Sequence, residues 1–396
     1  MKKTYDKIIA PQYVRDFLCI GEACEDTCCA GWHIPVDEET YKKYKKVKDN
    51  TIKARLEREI VAKRSNPTRD HVAKIKLKNG RCAFLSVQGL CDIYSQLGKE
   101  YLSDTCALYP RTINKVNNQW ECSLICSCPE AARKILLNKD KMIWTHLEEK
   151  QRVSVVSAHI TVSPDKPRKW QDYFGEIRTF IISVLQNRNY AIEERFMVLG
   201  AFMDRLEACR GPLSINKIPG LIKRYQDVML KKQMPSDIKR ISSNTAWCIA
   251  LAKELQTLKT NKKIKSKRYK ECLESMILGL ALTPGDDVTG SCLKYEEGNR
   301  KYYTKFIDEK AYMIENYFVN YVFERCIPID YDSPCRSFYQ MHFYYELIKL
   351  HIIGMANDQE GLSDEMVVKL IQALSKTFDH DDDSFAALMK FNEEKR

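Results

Sequence analysis

The sequence predicts a mainly α protein in which an irregular, cysteine-rich N-terminal metal-binding region packs on a helical C-terminal part. Two observations predict this architecture. Ten of the sixteen cysteines lie in the first 128 residues, in groups rather than scattered. From about residue 150 onward, apolar residues recur at the spacing of amphipathic helices. We therefore expect two domains, residues 1–150 and residues 151–396.

The N-terminal cysteines are the strongest chemical signal in the chain. The first four follow the spacing C-x4-C-x3-C-C, and eight residues separate the next pair. Thiolate is a soft ligand that suits zinc, copper(I) and above all iron–sulfur clusters. Their grouping therefore predicts a metal or cluster site. The ten residues are Cys19, Cys24, Cys28, Cys29, Cys82, Cys91, Cys106, Cys122, Cys126 and Cys128.

The N-terminal segment and the distribution of apolar residues predict a cytoplasmic protein. Residues 1–17 mix charged residues with short apolar pairs and lack the apolar stretch of a secretory signal. No stretch approaches the roughly 18 apolar residues of a transmembrane helix, so we expect no membrane insertion. In the reducing cytosol, clustered cysteines are more often metal ligands or redox centres than disulfides.

Local patterns predict individual elements of the N-terminal part. The charged segment 39–63 carries apolar residues at helical spacing and predicts one helix, which ends at the Pro67 region. These apolar residues are Ile52, Leu56, Ile60 and Val61. The turn dipeptide Asn79-Gly80 then predicts a short hairpin whose second arm carries Cys82.

In the C-terminal part, helical spacing is regular. Phe180, Ile181, Val184 and Leu185 predict one buried helix face. Ser363 is the expected N-cap of a helix that carries Val367, Leu370, Ile371 and Leu374. The dense aromatic run 312–323 is more typical of a hydrophobic core than of a ligand platform.

Several well-known site signatures are absent from the sequence. It contains neither the two C-x2-C pairs of many zinc modules nor the bacterial ferredoxin run. In the C-x3-C-x2-C loop of radical enzymes, Gly31 or Pro129 would replace the third cysteine. The chain has no G-x-G, so it lacks the cofactor turn of dinucleotide-type folds.

The chain is basic, with a net charge of +11 and a sequence pI near 8.8. This favours an acidic protein surface, an anionic cofactor or nucleic acid as partner. The run Lys259–Lys270 holds seven Lys or Arg, and a solvated surface is its simpler interpretation. Nucleic acid is the least favoured partner, because no recognition fold is evident.

Four motifs carry a resemblance to a known family. They are Cys24-x3-Cys28-Cys29-Ala30-Gly31-Trp32, Cys82-x-Phe84-Leu85, Gly89-Leu90-Cys91-x-Ile93-Tyr94 and Cys106-x2-Tyr109-Pro110-Arg111. The chain resembles a family of zinc- or iron-chelating cysteine-cluster proteins and, within it, the flagellin lysine-N-methylases. The segments 127–133 and 315–323 also resemble signatures of these methylases.

The resemblance implies methyl transfer from S-adenosylmethionine to lysine ε-amino groups of flagellin by an enzyme with a [4Fe-4S] cluster. It implies no catalytic residue and no cofactor-pocket motif. More cysteines match than one cluster needs. The favoured ligand candidates are Cys24, Cys28, Cys29, Cys82, Cys91 and Cys106, followed by Cys128.

A different class of protein is consistent with the same residues. In this alternative, the N-terminal cysteines hold zinc and the helical part binds a protein partner without catalysis. The alternative predicts stoichiometric zinc and no iron, whereas the methylase predicts a cluster.

Overall fold

The computed structural model describes most of the chain, and its secondary structure is mainly helical. Helices dominate the C-terminal part, and the strands form only small sheets. The expected mainly α fold class is therefore confirmed. The described residues are 3–5, 8–30, 34–147, 151–153, 156–231, 244–261, 264–282, 288–379 and 382–395.

The strands of the described residues all lie between residues 3 and 160. They are β1 (Lys3–Tyr5), β2 (Ile8–Pro11), β3 (Ile34–Val36), β4 (Ile60–Ala62), β5 (Ala73–Ile75), β6 (Leu77–Lys78), β7 (Arg81–Cys82), β8 (Arg111–Val116), β9 (Gln119–Leu124), β10 (Trp144–Leu147), β11 (Gln151–Val153) and β12 (Ala158–Ile160).

The described strands form four small sheets. The largest has the order β10–β2–β9–β8–β12, and its centre is the antiparallel pair β8–β9. Strands β3, β5 and β4 form an antiparallel sheet beside the cysteine loops. Strand pairs β6–β7 and β1–β11 complete the set.

Five short helices precede the first long helix of the C-terminal part. They are α1 (Glu38–Lys45), α2 (Asn50–Glu59), α3 (Asp92–Leu97), α4 (Asp104–Leu108) and α5 (Pro129–Leu136). Single 3-10 turns occur at Gln12–Val14, Gly21–Ala23, Lys99–Tyr101, Trp170–Tyr173 and Ile215–Lys217.

The helices of the C-terminal part pack around one another, and a π-helical turn at Asn299–Tyr303 joins α11 to α12. None of the described helices combines the length and apolar composition needed to cross a bilayer. The helices are α6 (Phe174–Leu185), α7 (Ile192–Ala208), α8 (Ile218–Lys231), α9 (Thr245–Thr260), α10 (Lys267–Gly279), α11 (Val288–Gly298), α12 (Thr304–Glu324), α13 (Pro334–Asp358), α14 (Asp364–Phe378) and α15 (Asp382–Lys395).

Two hydrophobic cores support these elements. The smaller core is built from residues between positions 34 and 93, among them Tyr44 and Phe84, and three cysteines pack against it. The larger core combines residues of the five-stranded sheet, such as Ile8, with helical residues such as Phe318. Residues on both sides of position 150 thus contribute to the larger core. The division of the chain at that position stays a prediction.

Most of the local expectations are confirmed. Asn79 and Gly80 have φ of 51° and 75° and form the turn between β6 and β7. The Ser363 hydroxyl accepts a hydrogen bond from the Met366 amide and caps α14. The aromatic run 312–323 is largely buried in α12, as expected of core residues.

The single helix expected over residues 39–63 is wrong. Helix α1 ends at Lys45, and a second helix starts after Asp49, whose carboxylate accepts hydrogen bonds from the amides of Thr51 and Ile52. An N-cap aspartate favours a new helix start over a continuous helix. The β-branched pair that follows α2 leaves the helix and pairs with β5 as strand β4.

Helix α12 joins the five-stranded sheet to the helical part through buried polar side chains. Asn320 donates to the Leu124 carbonyl at 3.0 Å and accepts a hydrogen bond from the Tyr13 hydroxyl. Asn316 donates to the Asn138 carbonyl at 2.7 Å. The fully buried Glu315 carboxylate pairs with two arginines, Arg188 and Arg195. The segment 315–323 therefore connects the two parts of the fold.

Helices α10 and α13 approach each other closely at two glycines. A methyl group at Gly279 would overlap the carbonyl oxygen of Gly354. A methyl group at Gly354 would lie 2.7–2.9 Å from three atoms of Met276. The absence of a side chain at both positions therefore sets the distance between these helices.

We predict that Gly279→Ala lowers the free energy of unfolding by about 3 kcal/mol, because the helices must separate to admit the methyl group. Gly220 on α8 has open space around it, so Gly220→Ala is the control. We expect the control to raise the stability by about 0.4–1 kcal/mol. Urea unfolding measures both effects, and equal stability of the two variants would contradict the close helix contact.

Candidate functional site

The first cysteines lie on an irregular loop that helix α14 holds in place. The Lys376 ammonium donates to the Asp26 carboxylate at 2.7 Å and to the Thr27 carbonyl at 2.8 Å. The Gln372 amide, one turn earlier, donates to Asp26 at 2.9 Å and to the Ser127 carbonyl at 2.8 Å. Helix α14 thereby fixes the backbone that leads into Cys28.

The hairpin β6–β7 lies directly beside this loop. The Cys82 amide donates to the Cys29 carbonyl at 2.7 Å, and Ala30 forms a β-bridge with Arg81. The amide of Phe84 donates to the Cys82 sulfur at 3.4 Å. The tight Asn79-Gly80 turn therefore brings the Cys82 thiol next to the Cys28-Cys29 pair.

Cys91 lies at the N-terminal end of α3. Burial raises the pKa of its thiol, and the nearby backbone amides of Tyr94 and Ile93 oppose that shift. Arg55 on α2 links the start of α3 to the residues that follow β7. Its guanidinium donates to the Asp92 carboxylate and to the Ala83 carbonyl, both at 2.6 Å.

Cys106 reaches the same region from α4. The Ser103 hydroxyl caps this helix and accepts a hydrogen bond from the Cys106 amide at 3.3 Å. The amide of Asp104 donates to the Asp37 carboxylate at 2.9 Å, which anchors α4 to the start of α1. Cys106 packs against the smaller core, as do Cys29 and Cys91.

Five of the six predicted ligands thus lie within electrostatic reach of one another. The sulfurs of Cys28 and Cys29 are 3.9 Å apart, and the Cys82 side chain contributes to the raised pKa of Cys29. Burial raises the pKa of both Cys91 and Cys106, and negative charge on Cys28 adds to both shifts. We call these residues, contributed by four chain segments, the five-thiol group. Its members are Cys28, Cys29, Cys82, Cys91 and Cys106.

The surroundings of four of these sulfurs, those of Cys28, Cys29, Cys91 and Cys106, raise the pKa and favour the thiol form. The hydrogen bond with Cys29, followed by burial, raises the pKa of Cys28 far above its usual range. A hydrogen bond from Cys28 lowers the pKa of Cys29, but the Cys82 side chain and burial together raise it to about 12. Burial raises the pKa of Cys106 to about 12, and the charges of Cys91 and Cys28 contribute.

The donor set fits a thiophilic metal or an iron–sulfur cluster in its chemistry. Positive charge among the sulfurs would reverse the repulsion that now favours the thiols, and thiolate is the ligating form. The positions of these side chains do not form a metal-binding geometry. In the described part of the chain, no three His, Cys, Asp or Glu side chains are arranged as a metal-binding group.

The sixth predicted ligand, Cys24, belongs to a different neighbourhood. Burial raises its pKa, and so does negative charge on Cys19. Burial raises the pKa of Cys128 to about 12, and Cys24 and Cys19 add to this effect. Cys128 lies at the N-terminal end of α5, where the backbone amides of Ala131 and Glu130 oppose this rise in pKa. We call Cys19, Cys24 and Cys128 the three-thiol group.

The other two N-terminal cysteines are core residues. Cys122 on β9 is fully buried in the larger core, and Cys126 is 3% exposed there. Gly31 and Trp32, which complete the first cysteine motif, lie outside the described residues. The ligand assignment as a whole stays a prediction.

Sequence reasoning missed the residues that hold the cysteine loops. Lys376 and Gln372 lie about 350 residues after Asp26, so no local pattern connects them. Their spacing of four places both on one face of α14, which is the only trace in the sequence. Arg55 lay inside the segment expected to be one continuous helix, where its charge indicated only a solvated position.

These observations define a class of protein: a mainly helical chain with a thiol-rich N-terminal region joined to its helices. The sequence profile described as the FliB lysine N-methylase C-terminal domain matches residues 178–396, more than half of the chain. The chain therefore belongs to the FliB lysine N-methylase family, and the resemblance drawn from the cysteine motifs is confirmed.

Individual relatives agree with this assignment. A protein named Lysine-N-methylase from Salmonella typhimurium is 24% identical over 388 residues, which cover 94% of this chain and 92% of that protein. A protein named Flagellar biosynthetic protein FliU from Salmonella muenchen is 35% identical over 151 residues, 38% of this chain and 88% of that protein. No protein of known structure matches the chain.

We predict that Lys376→Ala loosens the cysteine loop. The pair Lys376–Asp26 is only 11% and 16% exposed, so its loss leaves a buried carboxylate with fewer donors. Amides of residues 26–30 should then exchange with solvent on the order of tenfold to a hundredfold faster, which hydrogen-exchange mass spectrometry measures.

The matched control is Lys369→Ala on the same helix. Its ion pair with Glu271 is 34% and 42% exposed and does not touch the cysteine loop. We expect unchanged exchange at residues 26–30 in this variant. Equal effects of the two substitutions would show that α14 does not hold the loop through Lys376.

Proposed function

We propose that the chain methylates lysine ε-amino groups of flagellin and takes the methyl group from S-adenosylmethionine. The observation that carries this proposal is the family match over residues 178–396. It is supported by a relative named Lysine-N-methylase that aligns with 94% of the chain. The flagellar substrate is supported by the name of the relative from Salmonella muenchen.

The proposed reaction requires the substrate lysine to be neutral. The pKa of a free lysine ammonium is about 10.4, so a proton must leave before the nitrogen can act as a nucleophile. The lone pair of Nζ then forms the new N–C bond with the methyl group, while the S–C electrons return to sulfur and leave a thioether. Burial of the substrate lysine beside the cationic residues of this basic chain would lower its pKa.

We further propose that four members of the five-thiol group hold a [4Fe-4S] cluster. Four cysteine thiolates are the usual protein ligands of such a cluster. The proposal is supported by the common location of these sulfurs and by the positive charge they need to ionise. All cysteines of the chain are free thiols, which suits a reducing, cytoplasmic setting. When bound, the cluster supplies the iron charge that stabilises the thiolates.

We predict that the anaerobically prepared protein adds methyl groups to purified flagellin in the presence of S-adenosylmethionine. Mass spectrometry of flagellin peptides should locate mass gains of one methyl group on lysines. Cys28→Ala combined with Cys29→Ala should reduce this activity more than tenfold, because replacing two of the five thiols removes at least one of the four cluster ligands and the folding free energy that ligation contributes.

Cys248→Ala is the matched control, since Cys248 is equally a thiol but lies fully buried in the helical core. It should cost about 1 kcal/mol of stability and keep the activity. A lack of methyl gain with cluster-containing wild-type protein would contradict the proposed reaction. Equal activity of both variants would contradict the proposed role of the thiols.

A further inference from the structure

A large cleft lies at the far end of β8, away from the five-thiol group. Its volume is about 870 Å³, and it is formed by the β8–β9 turn, β12 and the loop 161–168. This size is within the range of ligand-binding clefts. Its described lining is Lys115, Asn117, Asn118, His159, Thr161, Val162, Ser163, Pro164, Asp165, Lys166 and Arg168.

The walls of the cleft are held by specific hydrogen bonds. The buried Asp172 carboxylate accepts hydrogen bonds from the amides of Ser163, Arg168 and Lys169 at 2.8–3.1 Å. The Asn117 side chain accepts a hydrogen bond from the Val162 amide at 2.9 Å, which joins the loop to the β8–β9 turn. The loop is therefore shaped before any ligand binds.

The charge of the cleft is positive. Lys115, Lys166 and Arg168 oppose a single carboxylate, that of Asp165. Lys115 lies over the ring of Trp120 at 5.4 Å, and none of the three cations forms an ion pair with a carboxylate of the described residues. Lys166 and Arg168 are exposed to solvent. The cleft therefore attracts anions and repels a cation such as the sulfonium of the methyl donor.

The other lining groups favour a peptide over a nucleic acid. Asn117, Asn118, Thr161 and Ser163 carry amides and hydroxyls that hydrogen bond with peptide groups. Single-stranded nucleic acids are usually held by bases stacked on aromatic rings, and no Phe, Tyr or Trp lines the described cleft. A carboxylate-rich peptide matches both the charge and the polarity.

We propose that this cleft docks a carboxylate-rich segment of the protein substrate. The inference rests on the proposed function, because a methyltransferase that acts on a protein must hold its substrate beyond the target lysine. Strand β8 begins five residues after Cys106, a member of the five-thiol group, and ends at the cleft. Its six residues are about 17 Å long. A single protein substrate is long enough to reach both.

Two fluorescein-labelled ten-residue peptides test this docking site. The aspartate peptide contains four aspartates among glycines and serines, and the asparagine peptide has asparagines in place of these four residues. Fluorescence anisotropy at low and at physiological ionic strength measures binding to the full-length protein. We expect the aspartate peptide to bind and the asparagine peptide not to bind. Lys166→Glu combined with Arg168→Glu should weaken binding at least about tenfold, because like charges then face each other.

Lys223→Glu combined with Arg224→Glu is the matched control. These residues are exposed on α8, and their replacement changes the net charge by the same amount. The control should bind the aspartate peptide as the wild type does. Equal weakening by both double variants would overturn the proposal, because net charge alone would then explain binding. Tighter binding of a single-stranded oligonucleotide that the cleft variant abolishes would also overturn it.

Methylation kinetics separate this inference from the proposed function. The cleft variant should raise KM for flagellin and leave kcat unchanged, because the cleft contacts the substrate away from the reacting nitrogen. If the wild type binds the aspartate peptide through the cleft but methylates no flagellin, the proposed function fails and the docking site stands. If methylation is normal in the cleft variant at every flagellin concentration, the docking site fails and the proposed function stands.

Discussion

The burial of several neighbouring thiols is the constraint on which the N-terminal part of this protein depends. Four of the five sulfurs, those of Cys29, Cys82, Cys91 and Cys106, lie in or against a small hydrophobic core, and the Cys28 sulfur is next to that of Cys29. Burial raises the pKa of Cys91 and Cys106, and negative charge on Cys28 adds to both shifts. These surroundings favour the thiol form of Cys28, Cys29, Cys91 and Cys106, whereas a bound cation would favour the thiolates. Cation binding would therefore be coupled to the order of every loop that contributes a sulfur.

The rest of the fold anchors those loops. Helix α14 holds the first loop through Lys376 and Gln372, and α2 holds the later loops through Arg55. Helix α12 contacts the five-stranded sheet through Asn320 and the segment before β10 through Asn316, and its Glu315 pairs with two arginines of the helical part. Buried polar groups of this kind are costly unless paired, so they specify one arrangement of the two parts. These contacts give the buried polar residues of the segment 315–323 a structural role.

The sequence contained enough information for local structure and for the composition of the candidate site. The Asn79-Gly80 turn, the Ser363 cap and the buried aromatics of α12 follow from local rules. The break after Lys45 was missed, because the apolar residues that predicted the helix all lie after the Asp49 cap and give no information on residues 39–49. The separation of Cys24 from Cys28 could not be foreseen, since contacts with Cys128 and α14 are set by tertiary packing.

The central claim is that the five-thiol group holds an iron–sulfur cluster, and metal and sulfide analysis after anaerobic purification tests it most directly. The account predicts about four iron and four sulfide per chain with broad visible absorbance. It also predicts loss of this iron when Cys91→Ala and Cys106→Ala are combined, and retention when Cys248→Ala and Cys272→Ala are combined, because those two thiols are buried in the helical core. One zinc per chain and a colourless protein would contradict the account and favour a structural metal site.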